Sequence, residues 1–428
     1  MALIILVFYM MILIIRPMDW WAPLLGVSLV DNVAMLLIPA VFLTLKGGDF
    51  RRWLDLPETK LSFLTLIGFS LSWLPLSRLG VMTTFLAFGK IILLYCMIVL
   101  VGTKRRNFHI LFRTLLICIV WMAIHGILQN LRGYGFGGQA PLYREGDGVY
   151  QIVAFGVFND PNDLCLIFII GIPLFYAEFR ASQNNLVKLM ILAVMPLVVF
   201  AAWLTNSRGG VVGIFGMLTT HAIINTRGIK RWLVIIASVM LISVVAPSRF
   251  ATKLAVDTNR TTYWGMGISS FKSTPIFGAG LGNFSEITGG AVAHNSFVET
   301  LAETGVVGYF PWLMLIYFTC LHLYRALRLK KIKEKERQEW FYLSAIISAL
   351  SGFLVAIYFI SRGTNFVLYL LLALACAKTA GVAGEPDLHK DVFGGWKSDL
   401  KRALFFCCGS IVFLWLSVRL AKLIARGI

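Results

Sequence analysis

Apolar runs of roughly 17–25 residues follow one another along this chain, each long enough to cross a bilayer core as a helix. The polar stretches between them alternate in kind. Every second one is a cluster of Lys and Arg: Lys46/Arg51/Arg52/Lys60, Lys104/Arg105/Arg106/Arg113, Arg180/Lys188, Arg227/Lys230/Arg231, Arg325 through Arg337, and His389 through Arg402. Between successive clusters lies room for two spans and one turn, the pattern of hairpins whose basic ends face the cytoplasm. With a pair of spans before Lys46, this predicts an all-α, polytopic integral membrane protein of about 12 transmembrane helices, amino terminus inside. The run Ala2 to Ile15 lacks a basic leader and a small-residue cleavage site, so it reads as a retained first span. The last run, Ala403 to Val418, is followed by Arg419, Lys422 and Arg426. It reads as an interfacial helix or an extra span, and the basic tail favours the cytoplasmic side.

Composition agrees with this class. Of 428 residues, 58% are hydrophobic and only 14% charged, which excludes a soluble domain. A net charge of +18 would suggest nucleic acid in a soluble protein; here cytoplasmic loops account for it, and no nucleic-acid partner is expected. The seven cysteines fall mostly in apolar runs without metal-ligand spacing. The chain reads as a single multi-span membrane domain over 1–428, with no clear internal repeat. Within it lie an outer loop and helix entry at 131–160, a main outer loop at 247–300, and a basic cytoplasmic segment with a terminal helix at 384–428.

The turns opposite the basic clusters hold Arg16, Arg78, Arg144, Arg208, Arg260, His294 and Arg362. Arginines there run against the positive-inside bias, so each is a candidate for a task beyond topology. The segment from His294 to Gly308 puts His, Asn and two Glu at the mouth of a span, where such groups are expensive. Ser296-x-x-Glu299 fits a capping box, which starts the helix just after Ser296 and leaves His294 near the positive end of the helix dipole. That field disfavours imidazolium and leaves a neutral base. The bland alternative is a His that merely hydrogen-bonds at a helix entry.

Four more constellations sit at these turns. Asn206-Ser207-Arg208-Gly209-Gly210 offers an arginine fork suited to phosphate, or a snorkelling interfacial arginine. Asn259-Arg260-Thr261-Thr262-Tyr263-Trp264 begins a short helical segment with Arg260 and Trp264 one turn apart, spaced for a cation–π contact; a solvated loop charge is the alternative. Asn159-Asp160-Pro161-Asn162-Asp163 reads as a helix start with Asp160 as cap, crowding carboxylates and amides at an outer helix mouth. Ser361-Arg362-Gly363-Thr364-Asn365 is a polar turn in the last hairpin. Residues 131–150 are rich in Gly and aromatics, including Tyr134, Phe136, Tyr143 and Tyr150, beside Arg144, Glu145 and Asp147. Such rings suit sugar stacking.

Together and in this order the motifs resemble the bacterial O-antigen ligase and O-antigen polymerase family. The resemblance rests on Asn-Ser-Arg208-Gly-Gly after a span, Arg260 ahead of Trp264, Pro275-x-x-Gly-x-Gly-x-Gly, and His294-Asn295 running into Leu301-x-Glu303-x-Gly305-x-x-Gly308. It covers roughly residues 150–380; the amino-terminal spans match only in being hydrophobic. Thr274 stands where many members carry a His before the Pro, which weakens any role for a second loop histidine.

The resemblance implies a GT-C-like glycosyltransferase of the bacterial inner membrane with its active site facing the periplasm. The donor would be a glycan on undecaprenyl diphosphate. Arg208 and Arg260 would hold the diphosphate and His294 would serve the acceptor, with Asn295 and Glu303 matching the pattern in less certain roles. Trp264, Arg362, Asp160 and Asn162 join the expected substrate-binding set from their positions at the outer turns. The acceptor, lipid A–core, a second lipid-linked glycan or a protein hydroxyl, decides between ligase, polymerase and oligosaccharyltransferase; ligase is favoured slightly. The chain holds no Asp-x-Asp near a phosphate site and no His/Cys cluster, so neither metal nor cofactor is expected, the alternative being a cation on Asp160 and Asp163. A transporter of anions or polysaccharide is the reading from another class; it requires charges spread along a path, where an enzyme requires Arg208, Arg260 and His294 to converge.

Overall fold

A computed structural model describes residues 1–44, 47–144, 148–245 and 258–425. In chain order its helices are α1 (Ala2–Ile15), α2 (Leu29–Thr44), α3 (Gly47–Asp55), α4 (Pro57–Leu71), α5 (Arg78–Gly102) and α6 (Arg105–Arg132). They continue as α7 (Pro161–Ala181), α8 (Asn185–Leu204), α9 (Arg208–Asn225), α10 (Ile229–Val245), α11 (Thr258–Ser273) and α12 (Phe284–Thr288). The rest are α13 (Ser296–Arg328), α14 (Lys330–Glu334), α15 (Arg337–Ile357), α16 (Phe366–Val382), α17 (Pro386–Phe393) and α18 (Trp396–Ala425). Apart from short 3₁₀ turns, the described residues add only a two-stranded antiparallel hairpin, β1 (Leu142–Arg144) with β2 (Val149–Gln151). The all-α polytopic class therefore holds. The hairpin was not anticipated, and Glu145 and Asp147 at its turn lie outside the described residues, as does 246–257 of the main loop.

Eight helices among the described residues are long and apolar enough to cross a membrane, and two shorter apolar ones accompany them. Helices α4, α9 and α10, of 15, 18 and 17 residues, supply the remaining members of the hairpin pattern. They are integral to the bundle: α4 lies along α13, and α9 lies between α15 and α10. Small residues permit the closest approach. A Cβ on Gly213 of α9 would lie 2.9 Å from both Ala356 Cβ and the Gly352 carbonyl of α15, so the two backbones touch where a larger residue would force them apart.

The bundle has two polar ends. One, hereafter the loop end, gathers the starts of α7, α9, α13 and α16. The other holds the basic clusters, and there buried carboxylates are matched with cations or hydroxyls: Glu178 with Arg113 at 2.7 Å and the Tyr342 hydroxyl at 2.8 Å, Glu339 with Lys378, Asp399 with Arg325 at 2.7 Å, and Glu58 with His322 at 2.6 Å.

The terminal helix α18 lies against the bundle. Asp399 near the start of α18 binds Arg325 at the far end of α13. Eleven residues on, Ser410 meets the Tyr309 hydroxyl at 3.1 Å, and the Phe413 ring packs 6.2 Å from Tyr358 at the loop end of α15. Helix α18 thus runs along the bundle, antiparallel to α13, and reaches α11. Phe413 packs on α15 and Cys407 on α13, and Arg419 follows them toward the loop end.

Candidate functional site at the loop end

The site is built around a break in α13. Gly305 has φ 54° and ψ −160°, a conformation essentially reserved for glycine. The break frees helix backbone groups, and the glycine-rich connector satisfies them. Val306 N donates to the Pro275 carbonyl at 2.9 Å and Val307 N to the Ile276 carbonyl at 3.1 Å, while the Ala302 and Glu303 carbonyls accept from Ala279 N and Gly280 N. A Cβ on Gly278 would overlap the Glu303 carbonyl, and one on Gly305 the Ile276 carbonyl. The Pro-x-x-Gly-x-Gly spacing is therefore a backbone-to-backbone seam. Its far side is pinned to α4, where Leu281 N donates to Ser72 Oγ and the Trp73 indole donates to the Leu281 carbonyl. Glu303 is buried and its Oε1 accepts from Phe284 N at 2.9 Å, so this carboxylate fixes the connector's return toward His294.

The helix start differs from the expected capping box. Asn295, not Ser296, is the cap: its Oδ1 accepts from Phe297 N at 3.0 Å and Val298 N at 3.1 Å. Asn is as good a cap as Ser, and Ser296 is needed elsewhere. Its hydroxyl donates to the Ile360 carbonyl and accepts from Arg362 N, both at 2.7 Å, joining α13 to the 361–365 turn. Asn295 Nδ2 is left buried without a hydrogen-bond partner. His294 precedes this cap with φ 49°, left-handed backbone rare outside glycine, and is half-buried.

Arg362 proves to be the hub of the loop end. It donates to Asp163 at 2.5 Å and to Asp160 at 2.6 Å, while Asn365 Nδ2 also donates to Asp163. Burial disfavours the guanidinium charge, but Asp163 and Asp160 outweigh it and raise the Arg362 pKa, so the group stays a cation. Asp160 caps α7 as expected, through Asn162 N at 2.7 Å. Both carboxylates of the alternative cation site, Asp160 and Asp163, are engaged by Arg362.

Asn162 carries the network to Arg208. Its Oδ1 accepts from the Ser207 hydroxyl at 2.7 Å, and Ser207 caps α9 through Gly210 N at 3.1 Å. Arg208 is the first residue of that helix and is half-buried. The preceding turn is tied to the hairpin: Asn206 Nδ2 donates to the Tyr150 carbonyl, Gln151 Nε2 to the Thr205 carbonyl and Ile152 N to the Leu204 carbonyl. Tyr143 and Tyr150 lie 5.0 Å apart on the hairpin, both exposed.

Arg260 lies in the first turn of α11. One turn later the Trp264 indole donates to the carbonyl of Ala293, the residue before His294, at 2.6 Å. Its ring packs edge-on against Tyr358, which also meets Phe297. The Trp264 indole thereby ties α11 to the His294 turn. The segments carrying Arg208, Arg260 and His294 are therefore at one end of the bundle, held by one set of hydrogen bonds. Beside it a cavity of about 470 Å³ opens between Arg362, Asp163, Tyr9, Arg16 and Lys90. Sequence reasoning had no signal for the Ser207–Asn162 and Ser296–Arg362 bonds, whose partners lie 45 and 66 residues apart.

These features define the class, a polytopic α-helical membrane protein with a polar site at one end of its bundle. Residues 191–313 match the family model described as O-antigen ligase, so the resemblance to the O-antigen ligase and polymerase family holds. The match includes Arg208, Arg260, His294 and Glu303 but not Asp160 or Arg362. A search of curated proteins finds no match.

Proposed function

We propose that this protein is a glycosyltransferase moving a glycan from undecaprenyl diphosphate to an acceptor hydroxyl at the outer face of the bacterial inner membrane. The observation that carries this reading is the gathering of the Arg208, Arg260 and His294 segments at one end through Asn162, Ser207, Trp264 and Ala293. At the opposite end the buried carboxylates are neutralised locally, Asp399 by Arg325 and Glu339 by Lys378 and Arg105, whereas a transport path needs charges spread along the bundle.

In the proposed reaction the acceptor oxygen forms a bond to the anomeric carbon as the bond from that carbon to the diphosphate oxygen breaks. Negative charge accumulates on the leaving diphosphate, where Arg208 and Arg260 act as preorganised cations. The acceptor's proton passes to His294, which sits before a helix start whose dipole favours the neutral imidazole. Single displacement inverts the anomeric carbon. The orphaned Asn295 Nδ2 beside His294 is a donor suited to an acceptor or phosphate oxygen, and Tyr143 and Tyr150 suit a sugar face. Neutralisation by arginine makes the reaction metal-independent.

The test offers purified protein an undecaprenyl-diphosphate-linked glycan together with either lipid A–core or more lipid-linked glycan, with EDTA present. Transfer to lipid A–core supports a ligase, the assignment favoured here. A lengthening ladder on the carrier lipid supports a polymerase. Absence of both transfer and donor binding overturns the reading.

A further inference from the structure

A groove of about 980 Å³ lies at the end of the bundle opposite the proposed transfer site, between α6, α7 and α8. Near the loop end α8 is close-packed: Val198, Ala201 and Ala202 are buried, and Cys165 of α7 contacts the Ala202 carbonyl. At the other end Leu186, Leu189 and Met190 are each about 60% or more exposed, beside the groove. The groove walls there are apolar, including Leu116, Val120, Val187 and Val194.

Only one rim is charged. Arg106 and Arg113 stand there, with Glu178 as the acidic counterpart. Arg113 is bound to Glu178, so the net charge of the rim is one positive unit, supplied by exposed Arg106. His109 lines the same rim, and its Nδ1 is buried there without a hydrogen-bond partner. A deep apolar slot open to hydrocarbon with a cationic, hydrogen-bonding rim at the headgroup level has the chemistry of an anionic phospholipid.

We propose that this groove binds one anionic phospholipid of the surrounding leaflet, its phosphate at Arg106 and His109 and an acyl chain between α6 and α8. The occupant packs against the Val187, Ile191 and Val194 side of α8. Because α8 leads directly into the Asn206–Arg208 turn, the lipid also steadies the proposed diphosphate site, a consequence that rests on the transferase reading whereas binding itself does not.

The test is native mass spectrometry of the detergent-purified full chain after exposure to phosphatidylglycerol, phosphatidylcholine or inorganic phosphate. One phosphatidylglycerol per chain is expected, with phosphatidylcholine weaker and phosphate alone absent. Arg106→Gln should weaken phosphatidylglycerol about fivefold, the effect of one surface arginine, and Val187→Trp, which fills the slot, should remove both lipids. A melting temperature unchanged in lipid-free detergent would verify that both variants fold. Lipid retention equal in the wild type and both variants, or binding of phosphate alone, overturns the proposal, whatever the transfer assay gives.

Discussion

The two ends of the bundle use polar residues in opposite ways. At the basic end, buried carboxylates meet nearby cations, as Asp399 meets Arg325 and Glu339 meets Lys378 and Arg105. These contacts are local, each joining two or three neighbouring helices. At the loop end, Arg362 serves two carboxylates while its backbone N–H binds Ser296, and Asn162 passes the network on to Ser207. Four segments far apart in sequence are locked together, around a helix broken at Gly305. Isolated pairs stabilise a bundle, whereas a broken helix and an extended network fix the positions of a few side chains. The contrast separates the loop-end residues into a frame, formed by Asp160, Asn162, Trp264, Asn295, Glu303 and Arg362, and the proposed reacting set of Arg208, Arg260 and His294.

Replacing a reacting residue should leave the frame intact. Arg208→Lys keeps the charge but loses the bidentate fork. Transfer should fall roughly 100- to 1000-fold, with membrane insertion and melting temperature unchanged. Near-normal transfer would remove Arg208 from the diphosphate site.

Breaking the frame should instead act through folding. Gly305→Ala forces a Cβ into left-handed backbone and against the Ile276 carbonyl. The backbone strain alone is of order 1–3 kcal/mol, and the clash adds to it. The expected result is a lower yield of folded protein and early proteolysis within 274–305. A wild-type melting temperature would mean that the seam is not needed.

At the basic end, Arg325→Gln leaves the fully buried Asp399 without its main partner. Loss of about 3–5 kcal/mol of stability is expected. Transfer per folded molecule should remain near normal, and a selective loss of transfer would erase the distinction between the two ends. The smallest effect should come from Lys104→Gln. Its 3.5 Å pair with Asp49 is solvent-exposed, 63% at the lysine, so a change within about 1 kcal/mol is expected in thermal unfolding.

The hairpin pattern of spans was legible because basic clusters and apolar runs alternate so regularly. The motif segments were legible too, as polar groups at span mouths are rare. What the chain did not announce are contacts between distant segments. Arg362 read as a weak candidate in a polar turn, since nothing in its neighbourhood reveals Asp160 and Asp163 some 200 residues earlier. Asn295 and Ser296 are equivalent as caps by type, and only the Ile360 carbonyl decides which one is free to act as the cap. Local charge left the course of α18 open between an interfacial helix and an extra span, and its contact along α13 is another long-range one.

The most direct test of the central claim measures donor binding and glycan transfer separately in His294→Ala. The account predicts that transfer falls by roughly 100-fold or more while binding of the undecaprenyl-diphosphate-linked glycan is largely retained. Loss of donor binding together with transfer would make His294 a phosphate ligand and contradict its role as the base. Unchanged transfer would remove the loop end as the site of reaction.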